Sequence, residues 1–177
     1  MTNSATGKGI RGTVTGLSVA FGANLPSFRG GTPRDSLEAA IALLPARGIA
    51  PRVCSRWYRS PPWPSSGQPW YVNGVVLCET LLPPEAVMTA LHELEEAFGR
   101  RRRHPNQARP LDLDLIDYGG RVTRAEDWPR LPHPRLQDRA FVLRPLAEVA
   151  PGWRDPRNGT AVADLLTTLP EDGCWPL

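Results

Sequence analysis

Residues 109–120 read RPLDLDLIDYGG, and leucine alternates with aspartate through their middle: Leu111, Asp112, Leu113, Asp114, Leu115. Strict alternation marks a β-strand with one apolar face. The three leucines point one way, and Asp112 and Asp114 point the other. Two like charges about 6–7 Å apart on one strand face repel each other unless a cation lies between them. The face is therefore either simply solvated or half of a metal site. Carboxylates are the usual protein ligands of Mg²⁺, which takes one or two of them together with substrate phosphates. Two ions about 3.5–4 Å apart can share such a pair. Asp117, at the strand end, has the opposite parity and is left out of it.

The segments before this strand predict a sheet to hold it. VTGLSVAFGANLP (14–26) is a strand running into a loop at Gly22. In the next segment Thr32 is a good helix N-cap, Pro33 suits the first helical position and Asp35 favours the N-terminus. Leu37, Ala40, Ile41 and Leu44 form the apolar face of that helix, and Pro45 and Gly48 end it. IAPRVCSRWYRS (49–60) reads as a second strand and YVNGVVLCETLL (71–82) as a third. Between them PPWPSSGQPW, with four prolines in ten residues, is a long loop. PPEAVMTALHELEEAFG (83–99) is a helix with Val87, Leu91, Leu94 and Phe98 on one face. A last helix is expected near residues 161–169. The order β-α-β-β-α-β with helical additions is a ferredoxin-like α+β arrangement. It implies an antiparallel sheet with helices on one face, leaving the other face for a site.

Bulk properties set the boundaries. The chain of 177 residues suits one domain over 14–177, preceded by a polar, flexible tail over 1–13. There is no apolar run long enough for a membrane span and no signal-peptide core, so a cytoplasmic protein is expected. The three cysteines lack metal-like or redox-like spacing. Net charge is +3, and Lys8 is the sole lysine among the basic residues. Base composition explains that bias as well as anion handling does, although arginine binds phosphate bidentately.

Further candidates flank the aspartates. Arg100, Arg101, Arg102 and Arg103 form a run one loop before them, where a solvated helix end and a phosphate-binding cluster both fit. LPHPRLQDRAF places His133, Arg135, Arg139 and Phe141 within one short segment. Tyr71 and Asn73 share parity on the third strand, as a flat wall and a hydrogen-bonding amide beside a heterocycle would. There is no GxxxxGK[ST] loop and no kinase-like GxGxxG, so any ATP site follows another scheme.

Together AFGANL, SRWYRSPPW, WYVNGVV, FGRRRR, ARPLDLDLIDYGG and LPHPRLQDRAFVLRPLAEVAP resemble the 6-hydroxymethyl-7,8-dihydropterin pyrophosphokinases of folate biosynthesis, in unbroken order over residues 16–168. The resemblance implies transfer of pyrophosphate from ATP to the pterin hydroxymethyl group, with release of AMP. It implies two Mg²⁺ ions held by Asp112 and Asp114. Arg100 and Arg109 join these aspartates as catalytic residues. ATP contacts fall on Glu95, His92, Arg100, Arg102, Arg109, Leu115, His133 and Arg139. Pterin contacts fall on Ser60, Pro61, Trp63, Tyr71, Asn73 and Phe141. Loops over residues 22–31, 61–69 and 101–108 would close over both substrates. Attack by a primary alcohol needs positioning and charge neutralisation more than a strong base, and the proton acceptor is open between Asp112 and metal-bound solvent. Three positions depart from the family. Asn106 stands near a tryptophan of some members, His92 replaces a common glutamine, and Arg130 stands in for residues that contact ATP.

Two other readings start from the same residues. A ferredoxin-like nucleic-acid module fits the arginine run, but the strands lack an RNP-type aromatic motif and a carboxylate pair would repel a backbone. A catalytically silent relative would have no need to hold two like charges together. The expectation is a monomer that binds ATP and the pterin, and neither nucleic acid nor membrane.

Overall fold

The computed structural model describes residues 13–27, 30–62, 66–101, 107–170 and 173–177. Trp63, Arg102, Asn106 and nearly all of the expected tail lie outside the described residues.

The strands are β1 (Thr15–Ala23), β2 (Ile49–Cys54), β3 (Tyr58–Ser60), β4 (Tyr71–Thr80), β5 (Asp112–Tyr118) and β6 (Trp175–Pro176). Their order is β5-β1-β4-β3-β6, and β2 pairs with the far end of β4, along the same edge as β3. All pairings are antiparallel. The expected second strand is therefore two collinear strands, interrupted at residues 55–57. There Ser55 Oγ takes the Val75 N–H at 3.0 Å and the Trp57 ring crosses Gly74. A Cβ on Gly74 would lie 2.8 Å from that ring, so glycine is what lets Trp57 lie over the strand.

Helices α1 (Pro33–Leu43) and α2 (Pro84–Ala97) cover one face of the sheet. Thr32 and Asp35 form a reciprocal capping box at the start of α1, with the Thr32 N–H to Asp35 Oδ2 distance at 2.7 Å. Leu37, Leu44, Leu91 and Leu94 meet Leu17, Val19, Phe21 and Leu113 in the larger core. Helices α3 (Ala140–Val149) and α4 (Val162–Thr167) lie on the opposite face, over Ala20, Val75 and Ile116. This corrects the expectation of one free face. The C-terminal helices take most of it and leave open only the end carrying Gly22, Asn73 and Asp112. Among the described residues no helix is long and apolar enough to cross a membrane.

The residues of β5 alternate between the two faces as far as Ile116. A register shift against Ser18–Val19 resets the parity. Leu115 sits in the first core and Ile116 in the second, so consecutive residues are both buried on opposite faces. Asp117 pairs with Ser18 and its Oδ2 takes the Trp153 indole N–H at 3.2 Å. It thus shares the side of Asp112 and Asp114, and it is spent on fastening the chain before α4.

A buried phenol ties the second layer to the sheet. Tyr58 on β3 donates to Glu148 on α3 at 2.6 Å, and the Arg56 N–H donates to the same carboxylate at 3.0 Å. Burial, together with this carboxylate, pushes the Tyr58 phenol up to about 12. A free phenol releases its proton near 10. The folded protein therefore holds that proton more tightly than the unfolded chain, and stability is lost as pH rises from about 10 to 12. Tyr58→Phe is expected to lower the unfolding free energy at neutral pH by about 1–3 kcal/mol and to make the alkaline loss shallower. Thermal melts across that pH range check both.

Candidate active site

At the open end of the sheet the strand register sets residues side by side. Asp112 lies opposite Gly22, which lies opposite Asn73. Asp114 lies opposite Ala20, which lies opposite Val75. The aspartates thus stand beside the two smallest side chains, and a cavity of about 460 Å³ opens over them. A Cβ on Gly22 would come within 3.2 Å of Asn73 Oδ1, so the floor has little room for a larger residue. The start of α3 forms the roof, with Arg139, Phe141 and Val142, and Ser60, Pro61, Pro62 and Tyr71 form the side wall.

Arginines hold the carboxylates. Arg100 Nη1 reaches Asp112 Oδ1 at 2.5 Å and also pairs with Glu95. Arg109 Nη1 reaches Asp112 Oδ2 at 2.8 Å, and Arg139 Nη1 reaches Asp114 Oδ2 at 2.6 Å. Three carboxylates thus meet three guanidiniums, which cancels the repulsion between the paired aspartates. Burial pushes the Asp114 carboxyl up, but Arg139, with Arg100 further off, outweighs it and holds it below the ordinary carboxylate range. Burial holds the His133 imidazole below its ordinary value against the pull of Asp114, so the ring is neutral at neutral pH. Its Nδ1 accepts the Arg135 N–H at 3.2 Å, which leaves the proton on Nε2, 3.9 Å from Asp114 Oδ2. Burial disfavours the Arg109 charge, but Asp112 and Tyr71 more than restore it.

Most residues singled out from the sequence converge here. Asp112, Asp114, Arg109, Arg139, Ser60, Pro61, Tyr71, Asn73 and Phe141 all line the cavity. Asn73 Nδ2 donates to Ser60 Oγ at 2.9 Å, which sets the direction of both groups. Arg100 and His133 act on the aspartates from just behind the lining. Other positions lie elsewhere. Glu95 is buried at 1% exposure, where its Oε1 takes the Leu113 N–H at 2.7 Å. It anchors Arg100 and the start of β5 and has no surface for a nucleotide. The Leu115 side chain is in the core between sheet and α2. His92 sits on α2 with its ring 6.3 Å from that of Trp128, away from the cavity. Arg130 is exposed and does not line the cavity.

Sequence reasoning passed over three contributors, Gly22, Asp138 and Asn24. Gly22 reads as a loop signal, yet it lies within β1 as the cavity floor. Arg135 and Asp138 complete the lining before α3; only Arg135 had stood out, as part of a basic segment. Asn24 is the third. It is buried, and its Oδ1 takes the Arg109 N–H at 2.7 Å while its Nδ2 donates to Pro69 O at 3.1 Å. Its own N–H returns to Arg109 O at 3.0 Å. One amide thus joins the ends of β1, the segment before Tyr71 and the segment before β5. The signal was Asn after a strand glycine in AFGANL, a side chain able to satisfy several backbone groups at once.

A family model for 7,8-dihydro-6-hydroxymethylpterin-pyrophosphokinase (HPPK) matches residues 18–151. A 2-amino-4-hydroxy-6-hydroxymethyldihydropteridine pyrophosphokinase from Synechocystis sp. is 40% identical over 167 residues, covering 92% of this chain and 80% of the relative. The protein of the same name from Pseudomonas aeruginosa is 38% identical, covering 88% and 92%. Among solved structures, Plasmodium falciparum HPPK-DHPS superposes with a TM-score of 0.68 at 10% identity, covering 90% of this chain. This chain spans 45% of that longer one, so that likeness bears on the fold.

Asn24→Ala removes an acceptor and a donor from buried partners. It is expected to cost about 1–3 kcal/mol of stability and to lower kcat/KM beyond any loss of folded protein, because Arg109 and the side wall lose their common anchor. Steady-state kinetics below the melting range, paired with a thermal melt, check it.

Proposed function

The chain belongs to the 7,8-dihydro-6-hydroxymethylpterin-pyrophosphokinase family of folate biosynthesis, and from that premise we propose how its cavity transfers pyrophosphate from ATP to the hydroxymethyl group of 6-hydroxymethyl-7,8-dihydropterin. The observation that carries the reading is one cavity whose lining is of two chemical kinds: Asp112, Asp114, Arg109 and Arg139 are charged, and Ser60, Tyr71, Asn73 and Phe141 are aromatic or neutral and polar. A charged polyphosphate suits the first and a flat, polar-edged ring suits the second.

The donor set fits Mg²⁺. It consists of two carboxylates, and among the described residues no group of three or more His, Cys, Asp or Glu converges. An ion that keeps waters and takes substrate phosphates needs no more from the protein. Asp112 and Asp114 would hold two such ions, which supply charge neutralisation on the phosphate oxygens when bound.

The protein's own groups do the rest. Tyr71 and Phe141 flank the pterin ring, and Asn73, oriented by Ser60, reads its polar edge. The hydroxymethyl oxygen attacks the β-phosphorus, the new O–P bond forms, and the bond from that phosphorus to the α,β-bridging oxygen breaks. AMP leaves with that oxygen, and the alcohol proton passes to Asp112 or solvent. Arg100, Arg109 and Arg139, now paired with carboxylates, turn to the phosphate oxygens as the triphosphate enters. Guanidinium forks stabilise the charge that builds on the transferred group. Neutral His133 adds its Nε2 proton as a hydrogen-bond donor.

We take the protein to be a cytoplasmic monomer, with a single catalytic domain over residues 14–177. The aspartates disfavour a nucleic-acid backbone at this face.

The function is tested by mixing the protein with ATP, Mg²⁺ and the pterin and identifying the nucleotide product. AMP formed only when pterin is present is the expected outcome, and ADP would overturn the reaction class. Asp112→Asn or Asp114→Asn is expected to lower turnover at least about a hundredfold with the far-UV spectrum unchanged; normal turnover would refute the metal assignment. Phe141→Ala is expected to weaken pterin binding far more than ATP binding, as titration calorimetry would read.

A further inference from the structure

We propose that Trp175 is a positioning residue for the pterin side of the cavity, acting through Trp70 and Arg59. The inference rests on the reading of that side as the pterin site. β3 is three residues long, yet it carries Ser60 and leads directly into Pro61 and Pro62 of the wall. Its pairing with β4 covers only Tyr58 to Ser60. Three residues of edge strand are little to hold a wall in place. β6 supplies the second partner, with Arg59 opposite Trp175 and Tyr58 opposite Pro176, and the Leu177 N–H extends it to Trp57 O at 2.9 Å.

The side chains add a stack behind the wall. The Trp70 and Trp175 rings lie 5.7 Å apart at 21°, and the Arg59 guanidinium sits 5.6 Å from the Trp70 ring centre. Arg59 and Trp70 are the chain neighbours of Ser60 and Tyr71. By strand alternation Arg59 points away from the cavity while Ser60 faces it. The stack therefore clamps the two wall segments from their outer side. Both tryptophans remain substantially exposed, at 49% for Trp70 and 36% for Trp175, so burial alone does not account for the pair. Trp175 also lies beyond the residues that the family model matches. The phosphate-facing arginines have anchors of their own, since Arg100, Arg109 and Arg139 are held by Glu95, Asn24 and Asp114, and of these anchors Asn24 alone is described as also holding the wall, at Pro69 O. The device thus tunes one substrate and spares the other.

The test compares wild type, Trp175→Ala and Trp175→Phe by titration calorimetry. One titrant is 6-hydroxymethyl-7,8-dihydropterin, added with α,β-methylene-ATP present, whose methylene bridge blocks transfer. The other is α,β-methylene-ATP alone. Trp175→Ala is expected to raise the pterin Kd about three- to tenfold, leave the nucleotide Kd within about twofold, and be rescued by Trp175→Phe. An unchanged pterin Kd overturns the proposal, as does equal weakening of both ligands. Trp175→Leu keeps the apolar bulk and drops the aromatic face; it is expected to match the alanine variant, and it replaces that variant if the latter is unfolded. Phe141→Ala runs in parallel. Weakened pterin binding there, with unchanged binding in the Trp175 variants, overturns the clamp alone. Unchanged pterin binding in Phe141→Ala overturns the reading of the site and the clamp with it.

Discussion

Two carboxylates at alternate positions of one strand repel each other, and the architecture around β5 is arranged to hold them together. Asp112 is gripped from two directions by Arg100 and Arg109, and Asp114 by Arg139. Each of these arginines comes from a different place: the end of α2, the segment before β5, and the start of α3. The electrostatic requirement of the pair therefore ties three parts of the chain to one spot. Glu95 extends the same cluster into the core, since it binds Arg100 and the backbone of Leu113 at once. A buried charge so paired is costly to break from either side. The cluster is electrically balanced, three carboxylates against three guanidiniums.

The second constraint is space. The cavity takes the sheet face that α3 and α4 otherwise cover, and the sheet keeps that end low with Gly22 and Ala20 directly beside the aspartates. α3 begins just beyond them, so Phe141 overhangs the floor and Arg139 reaches down to it. The height of that roof is set from the other end of α3, where Glu148 takes the Tyr58 hydroxyl and the Arg56 N–H from the β3 side. Roof, floor and side wall are thus separate elements whose spacing depends on a few buried polar contacts, and those contacts are directional enough to fix it.

Much of this was legible in the chain itself. The leucine–aspartate alternation reported both the strand and the side on which the carboxylates stand. Thr32, Pro33 and Asp35 marked the start of α1 because capping is local: the groups that satisfy each other lie three residues apart. Other features were not legible because no local pattern encodes them. Glu95, an ATP contact by the resemblance, carries no local sign of burial, and only the approach of β5 buried it. Asp117 was given the wrong side because a β-bulge shifts parity without changing composition. The break in the second strand depends on Trp57 meeting Gly74, a contact across strands that neither residue announces alone.

The sequence by itself determined the kinds of element, their order, and the residue types that chemistry on a polyphosphate and a heterocycle would use. Those follow from short-range rules of periodicity, capping and charge, which act between neighbours in the chain. Tertiary structure alone decided which face α3 and α4 would occupy, how much of it would stay open, and which carboxylates would face the cavity or be consumed inside. Such outcomes depend on contacts between residues far apart in the chain, Asn24 with Arg109 and Tyr58 with Glu148 among them. A hydrogen bond across that separation exists only once packing has brought its two ends together, so no local reading of either segment contains it.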